Sequence, residues 1–245
     1  MHYAPGREAC PLPFSPFKSC TVPRPIGWIS TVDGKGRANL APYSQWQNLS
    51  FDPPMVMFAA NPYSDGRRKH SVLNAEETGW FVWNMATYDL REAVNISAME
   101  WPEGVDEFDK AGVTKAPCLD APASRVAESP AQFECRYLQT TRLKGNSAHG
   151  GVDVVYGEVT RIHVKDEVIL PNGKLDILGI RPLARLGYYD YTSVTEVFEM
   201  RIPGATEAAA KGLEGTAYRP PFARIGERRS GGCETLQRRK AGLSP

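Results

Sequence analysis

The residues best suited to chemistry form a basic cluster that leads into a predicted helix. Arg67-Arg68-Lys69 stands just before Ser71, which we predict to cap a short helix over residues 71–78. A helix N-terminus offers free backbone N–H groups and positive potential, which suit a phosphate dianion. The segment is therefore a candidate phosphate site. A solvated basic loop with an ordinary cap is the alternative that the residues alone leave open.

The sequence lacks the common signatures of other nucleotide and metal sites. It has no Gly-x-Gly-x-x-Gly fingerprint, no P-loop and no His-Glu-x-x-His motif. Its four histidines lie far apart, and its five cysteines are widely spread without a Cys-x-x-Cys pair. We therefore expect no metal site and no disulfide framework, and we expect a reduced, cytoplasmic protein.

Length and charge narrow the class of protein. The chain has 245 residues, 42% of them hydrophobic, which is enough for one enzyme-sized domain. Lys and Arg total 29 against 28 Asp and Glu, so we expect no nucleic-acid partner. No apolar run approaches the ~20 residues of a membrane span, and residues 1–19 do not resemble a signal peptide.

The hydrophobic pattern predicts more strands than helices. We predict strands over residues 27–32 and 38–43, joined by a turn at Asp33-Gly34, and further strands over the segments 55–60, 80–84 and 154–164. A helix over 89–98 would turn Val94 inward. Because strands and helices do not alternate, we predict a mainly β fold, a mostly antiparallel β-barrel with peripheral helices.

The segment around Phe133 alternates apolar and polar residues. This pattern predicts a strand with one solvent-exposed face that carries Glu134 and Arg136. On the strand over residues 154–164, His163 is expected to point to solvent.

The sequence also predicts the domain limits. We predict an extended arm over residues 1–20, a single domain over 21–202, and a basic tail over 203–245 that is disordered or peripheral.

A set of short segments, in order, resembles the flavin reductase-like family of FMN-binding split barrels. The resemblance covers roughly residues 16–200. The segments are Val22-Pro23-Arg24-Pro25-Ile26-Gly27-Trp28-Ile29-Ser30-Thr31, Asn39-Leu40-Ala41-Pro42-Tyr43-Ser44, Asp52-Pro53-Pro54, Arg68-Lys69-His70-Ser71, Asp106-Glu107-Phe108, Gly157-Glu158-Val159 and Arg185-Leu186-Gly187-Tyr188.

The resemblance implies a homodimer of split barrels that holds FMN non-covalently near the subunit interface. It also implies NADH or NADPH as electron donor, hydride transfer to the flavin, and in some members a monooxygenase partner. The cofactor carries the reactivity in such chemistry, which fits the absence of a catalytic triad or carboxylate pair.

The resemblance also implies roles for particular residues. It favours Arg68, Lys69 and Ser71 as contacts of the FMN phosphate. His70 stands where the family usually has aspartate, and an imidazole replaces only one of the hydrogen-bond acceptors of a carboxylate. Phosphate affinity is therefore expected to differ from that of the family.

The flavin ring needs polar groups at one edge and apolar contacts on its faces, a mixture that residues 43–50 provide. A polar loop beside a core tryptophan is the plainer alternative. We predict that the following residues contact the ring: Ser44, Asn48 and Ser50 at the polar edge, Trp46 by packing, and Ser30 and Thr31 from the neighbouring strand.

His149 lies in a glycine-rich stretch, residues 145–151, that can approach a ligand closely. We expect it to position the flavin or the nicotinamide, and an exposed loop histidine is the alternative. Tyr188, Tyr189 and Tyr191 could cover the flavin, but packing at a dimer interface is favoured.

Two other functions stay open at this point. The protein could carry electrons or store FMN without efficient NAD(P)H oxidation, because a fold does not fix its site. It could also be a flavin-free split barrel that binds another ligand, which the His70 substitution would support.

Overall fold

The computed structural model describes residues 1–102, 104–147 and 150–200. The β-strands within these ranges are β1 (Arg24–Pro25), β2 (Gly27–Val32), β3 (Ala38–Tyr43), β4 (Trp46–Phe51), β5 (Pro54–Ala60), β6 (Trp80–Met85), β7 (Lys115–Pro117), β8 (Ser124–Val126), β9 (Ala131–Leu143), β10 (Val152–Val164), β11 (Leu183–Arg185) and β12 (Tyr191–Ser193). The α-helices are α1 (His70–Thr78), α2 (Arg91–Ile96), α3 (Glu107–Ala111) and α4 (Ile177–Ile180), and two 3-10 turns span Phe17–Ser19 and Asp166–Val168.

Seven strands form one antiparallel sheet in the order β3-β2-β6-β9-β10-β5-β4. The sheet is strongly curved and brings β4 back to β2, although the two strands are five places apart in the strand order. The close approach is seen at Gly27 in β2, where an added Cβ would lie 3.0 Å from the Trp46 side chain in β4. Two smaller sheets are formed by β1-β11-β12, with β11 in the centre, and by the pair β7-β8. The prediction of a mainly β barrel with peripheral helices is confirmed.

The predicted strands correspond to β2, β3, β5, β6, β9 and β10. Asp33-Gly34 lies in the turn between β2 and β3, whose register pairs Gly27 with Tyr43 and Val32 with Ala38. Such tight turns join antiparallel neighbours, so the hairpin prediction is confirmed.

Aromatic side chains fill the barrel. The indoles of Trp46 and Trp83 stack with ring centroids 5.4 Å apart, and Phe58 meets Phe81 edge-on at 5.2 Å. Strand β10 passes so close to Phe81 that a Cβ on Gly157 would lie 2.5 Å from its ring. The glycine of the Gly157-Glu158-Val159 segment therefore gives this core the space it needs.

The helices pack outside the sheet. Val94 of α2 is buried, as predicted. The predicted start of α1 is wrong by one to two residues: the helix begins at His70, and Lys69 is its N-cap. Ser71 lies inside the first turn. Its hydroxyl accepts hydrogen bonds from the buried side chains of Asn39 and Tyr43 and does not cap the helix.

The prediction that Glu134 lies on a solvent-exposed face of the strand around Phe133 is wrong. A loop covers this side of β9, and its Leu119, Asp120 and Ala121 amides all donate to the Glu134 carboxylate at 2.7–2.9 Å. The side chain of Glu134 is fully buried. His163 does not point to solvent as predicted, because its Nε2 lies 2.6 Å from Glu134 Oε1.

The predicted arm contains a turn, with Glu8 N donating to Ala4 O at 2.9 Å, and the 3-10 turn Phe17–Ser19. The predicted domain limits stay predictions, and the tail over 203–245 lies outside the described residues. Within the described part of the chain, no helix is both long and apolar enough to cross a bilayer. The same residues contain no cluster of three or more potential metal ligands, and the four cysteines described there are all free.

Candidate functional site

The start of α1 presents backbone donors beside a cation. Lys69 has an extended backbone at the N-cap and its side chain makes no capping bond. The first N–H groups of a helix have no acceptor within the helix, so they are available to a ligand. The Lys69 ammonium lies 3.6 Å from the centroid of the Tyr63 ring and 3.2 Å from Glu100 Oε1. This position adds positive charge to the end of the helix that already carries the positive pole.

Ser71 anchors this helix start to the sheet. Its Oγ accepts a hydrogen bond from Asn39 Nδ2 at 2.8 Å and one from the Tyr43 hydroxyl at 2.9 Å. Burial raises the pKa of Tyr43, so the phenol stays protonated and donates. The side chain of Ser71 faces the core, and its backbone N–H is the group left to meet a phosphate.

Arg68 holds the preceding loop against the sheet. Its Nη1 and Nη2 donate to the Glu76 carboxylate at 2.8 and 2.6 Å, and its Nε donates to Asp153 Oδ2 at 2.7 Å. The hydrogen bonds from Arg68 hold the pKa of Glu76 below its usual value. The guanidinium is therefore bonded to two carboxylates and fixes the loop, and its predicted contact with a flavin phosphate stays a prediction.

His70 occupies the position where an aspartate was expected from the resemblance. Its Nδ1 lies 3.4 Å from the Tyr63 hydroxyl, and the two rings meet edge-on with centroids 5.6 Å apart. Arg67 stands over the same ring at 5.6 Å. Tyr63 thus organises the basic loop, a role that no sequence signal indicated.

A cleft of 490 Å³ opens beside α1, between the β2–β3 turn and the loop before α3. Arg37, Arg67, Arg68 and His70 line it together with Glu107. Glu107 is buried and accepts a hydrogen bond from Leu40 N at 3.1 Å, and burial raises its pKa. The sequence marked Glu107 only as part of a short motif, and the structure adds it to the wall of this cleft.

Ser30 and Thr31 are placed in the core, with exposed fractions of 0% and 1%. Ser30 Oγ donates to Ser124 O at 2.6 Å, and Thr31 Oγ1 accepts from Asn74 Nδ2 at 3.1 Å. Both hydroxyls are used to fix neighbouring elements to β2. Their predicted contact with a ligand ring stays a prediction that this placement does not support.

The polar segment over residues 43–50 is divided by the fold. Asn48 and Ser50 lie on β4, where Asn48 Oδ1 accepts from Gln47 Nε2 at 2.6 Å and Ser50 Oγ accepts from Asp52 N at 3.3 Å. Trp46 is buried against Trp83 in the barrel. Ser44 lines a different cleft. Asn48 and Ser50 lie on the same strand with a register shift between them, and Trp46 is a core residue.

The cleft that contains Ser44 measures 530 Å³ and lies between the first residues of the chain and the segment after β11. Arg24, Tyr188 and Tyr191 also line it, and Phe14 meets Tyr188 edge-on at 5.7 Å. His149 lies outside the described residues, so its predicted role stays a prediction.

These positions fit a phosphate-bearing ligand at the start of α1. Lys69 supplies a cation, and the first turn of the helix supplies open N–H groups. The ion pair of Arg68 with Asp153 and the hydrogen bond of Ser71 with Asn39 hold the loop and the helix start in place. The exposed amide of Asn48 and the hydroxyl of Ser50 are available to the polar edge of a ring.

Comparison with known proteins adds a family and a fold. The family model described as flavin reductase like domain matches residues 19–190. An uncharacterised protein of Aquifex aeolicus is 34% identical over 170 residues, which cover 69% of this chain and 84% of that protein.

Two solved structures share the architecture. Nitrilotriacetate monooxygenase component B from Bacillus cereus superposes with a TM-score of 0.74 and 25% identity, over 82% of this chain and 98% of the other. Flavoredoxin of Desulfovibrio vulgaris superposes with a TM-score of 0.65 over 83% and 99% of the two chains, and at 18% identity it supports the fold alone.

Proposed function

Because this chain belongs to the flavin reductase-like domain family, we propose that it is an oxidoreductase that binds FMN non-covalently and reduces flavin with NADH or NADPH. The observation that carries the proposal is the start of α1, where open backbone N–H groups lie beside the Lys69 ammonium. This is the chemistry that a flavin phosphate requires.

A bound flavin supplies the group that accepts hydride from the nicotinamide. The task of the protein is to hold the two rings in contact, so it needs no nucleophile of its own. Lys69 and the first turn of α1 bind the phosphate in this proposal. Asn48, Ser50 and Ser44 bond the polar edge of the ring, and His149 positions one of the two rings.

We also propose that the protein works as a homodimer in the cytoplasm and passes electrons to an acceptor that can be a monooxygenase partner. Support for the dimer comes from β4, a strand at one end of the seven-stranded sheet that exposes Leu49 and Phe51. Support for the partner comes from the similarity to a monooxygenase component B.

The test is the visible spectrum of the protein after addition of FMN and removal of the excess. The expected result is a flavin spectrum that is bleached when NADH or NADPH is added without oxygen. The same experiment with Lys69→Gln is expected to retain less flavin at equal protein concentration.

Other outcomes would change the proposal in defined ways. Retained flavin that neither nucleotide bleaches would exclude a reductase and leave a flavin carrier that needs another donor. A protein that takes up no FMN would exclude both.

A further inference from the structure

A second cleft lies away from the start of α1. It measures 410 Å³ and is formed by α2 and the β11–β12 segment, with Arg91 on one side and Arg185 on the other. This volume is within the range of small-ligand sites, about 300–1,000 Å³.

Guanidinium groups stacked on tyrosine rings dominate this cleft. Arg91 lies 4.2 Å from the centroid of Tyr88, and Arg185 lies 4.4 Å from the centroid of Tyr191. Arg181, which does not itself line the cleft, lies 3.9 Å from the Tyr88 ring. Such pairs hold arginine side chains in place at low entropic cost while leaving N–H groups at their edges.

The charge of the cleft is positive. Glu92 is the carboxylate among the residues that line it, and its side chain is well exposed at 3.5 Å from Arg91 Nε. One solvated carboxylate cannot neutralise both Arg91 and Arg185, so an anionic group entering the cleft meets net positive potential.

The cleft also presents open aromatic surface. Tyr189 lines it with an exposed fraction of 94%, and Tyr191 beside it is also exposed. A tyrosine this exposed does not contribute to the core. Its ring is free to stack on a flat ligand, as aromatic side chains do with nucleobases.

We propose that this cleft binds the adenosine phosphate half of the nicotinamide donor, an inference that rests on the proposed reductase function. The adenine stacks on Tyr189 or Tyr191, and Arg91 and Arg185 bind the phosphates. Arg185 and Tyr191 line the 530 Å³ cleft of Ser44 as well, so the two clefts share a wall. A dinucleotide can therefore extend from one cleft into the other.

Two variants test the proposal without disturbing the core: Arg91→Gln and Tyr189→Ala, both at exposed positions. Arg185 is unsuitable because it also binds the Tyr188 carbonyl and the Tyr191 hydroxyl. Arg136→Gln is the matched control, an exposed arginine on β9 that pairs with Glu158 at 2.7 Å. Unchanged thermal unfolding establishes that each variant is folded.

The first measurement is calorimetric titration of each protein with ADP-ribose, a probe that lacks the nicotinamide. The second is the KM for the dinucleotide donor compared with the KM for reduced nicotinamide mononucleotide, which lacks the adenosine half. We expect each variant to weaken ADP-ribose binding and raise the dinucleotide KM about tenfold, with kcat and the mononucleotide KM unchanged. Arg136→Gln should behave as the wild type.

The outcomes separate the two proposals. If the flavin is reduced but the wild type binds no ADP-ribose, or both variants bind it normally, the cleft proposal is wrong and the reductase stands. If no flavin is reduced but ADP-ribose binds and both variants weaken it, the reductase proposal is wrong. The cleft then remains an adenosine phosphate site.

Discussion

Glu134 is a fully buried carboxylate whose charge is balanced by hydrogen bonds. Burial by itself would raise its pKa, but the amides of Leu119, Ala121 and Asp120 and the His163 ring outweigh that effect and lower the pKa to about 2. The carboxylate stays ionised and ties the loop before β8 to β9. A glutamine has one acceptor oxygen for the same donors, so the substitution leaves buried N–H groups unpaired.

We predict that Glu134→Gln lowers the free energy of unfolding at pH 7 by about 2–3 kcal/mol, measured by urea denaturation. Because the folded pKa is depressed from 4.5, the stabilisation by Glu134 is complete above pH 4.5 and is lost as the pH falls towards about 2. The variant should therefore lose less stability than the wild type across this interval. Glu92→Gln, at an exposed position, is the control, and an equal loss in both variants would contradict the assignment.

Arg68 and Lys69 are adjacent, but substitutions at the two positions are predicted to affect different properties of the protein. Arg68→Met leaves the buried Asp153 carboxylate without its closest cation, so stability should fall by about 3–5 kcal/mol in thermal or urea unfolding. Lys69→Gln should change stability by less than about 1 kcal/mol, yet weaken FMN binding about tenfold in a fluorescence titration. If Arg68→Met stayed as stable as the wild type, or Lys69→Gln bound FMN normally, the division of roles would be wrong.

At the residue scale, the sequence pattern predicted the face or site at which a residue lies but not which distant segments contact it. Alternation predicted that Glu134 lies on the face of β9 opposite to Cys135, and Cys135 does pack in the core. The loop over residues 118–121 then covers that face, and a period of two contains no information about a covering loop. Arg68 was likewise recognised as a cation near the site, while its partner Asp153 lies 85 residues away along the chain.

At the scale of elements, the first residues of the chain are held by the segment after β11. Arg24 Nη2 donates to Leu186 O at 2.7 Å, and another of its nitrogens bonds the Lys18 carbonyl. Gly187 packs directly on Ser19, and a Cβ at this glycine would lie 2.6 Å from Ser19 Cβ and 3.0 Å from Ser19 Cα. The restriction is one of space, so any side chain at position 187 must displace the 3-10 turn Phe17–Ser19.

We predict that Gly187→Ala frees this turn. Limited proteolysis should cleave within the first twenty residues faster than in the wild type, with a loss of about 1–3 kcal/mol in unfolding free energy. Adding Ser19→Gly removes the clashing side chain and should restore most of the protection. Proteolysis at the wild-type rate in Gly187→Ala would show that the turn is not held by this contact.

Elements with a strong local pattern were predicted, and those defined by distant partners were not. The strands β2, β3, β5, β6 and β10 each carry a continuous apolar or alternating pattern bounded by turn residues. Strand β4 carries the polar residues Gln47, Asn48 and Ser50 and is a strand because β5 pairs with it. The short strand β1 pairs with β11 across more than 150 residues, a separation at which single-sequence periodicity gives no signal, and β12 is added to the free side of β11.

At the scale of the whole molecule, β4 ends the seven-stranded sheet, and its outer edge is where we expect the proposed homodimer to form. It pairs with β5 on one side, and it exposes 50% of Leu49 and 59% of Phe51. Apolar side chains on an edge strand favour pairing with another chain. Asn48 and Ser50, the residues proposed for the flavin edge, lie on the same strand, so dimer formation and flavin binding should depend on each other.

We predict that Leu49→Lys combined with Phe51→Lys converts a wild-type dimer to a monomer in sedimentation velocity and weakens FMN binding at least about tenfold. Leu119→Lys, which places the same charge on an exposed loop leucine, should leave both properties unchanged. A stable fold in the double variant, checked by thermal unfolding, attributes the loss to the interface because Leu49 and Phe51 lie outside the core. A wild type that sediments as a monomer, or a double variant that stays dimeric, would place the interface elsewhere. Flavin binding that persists in a monomer would mean that one chain completes the site.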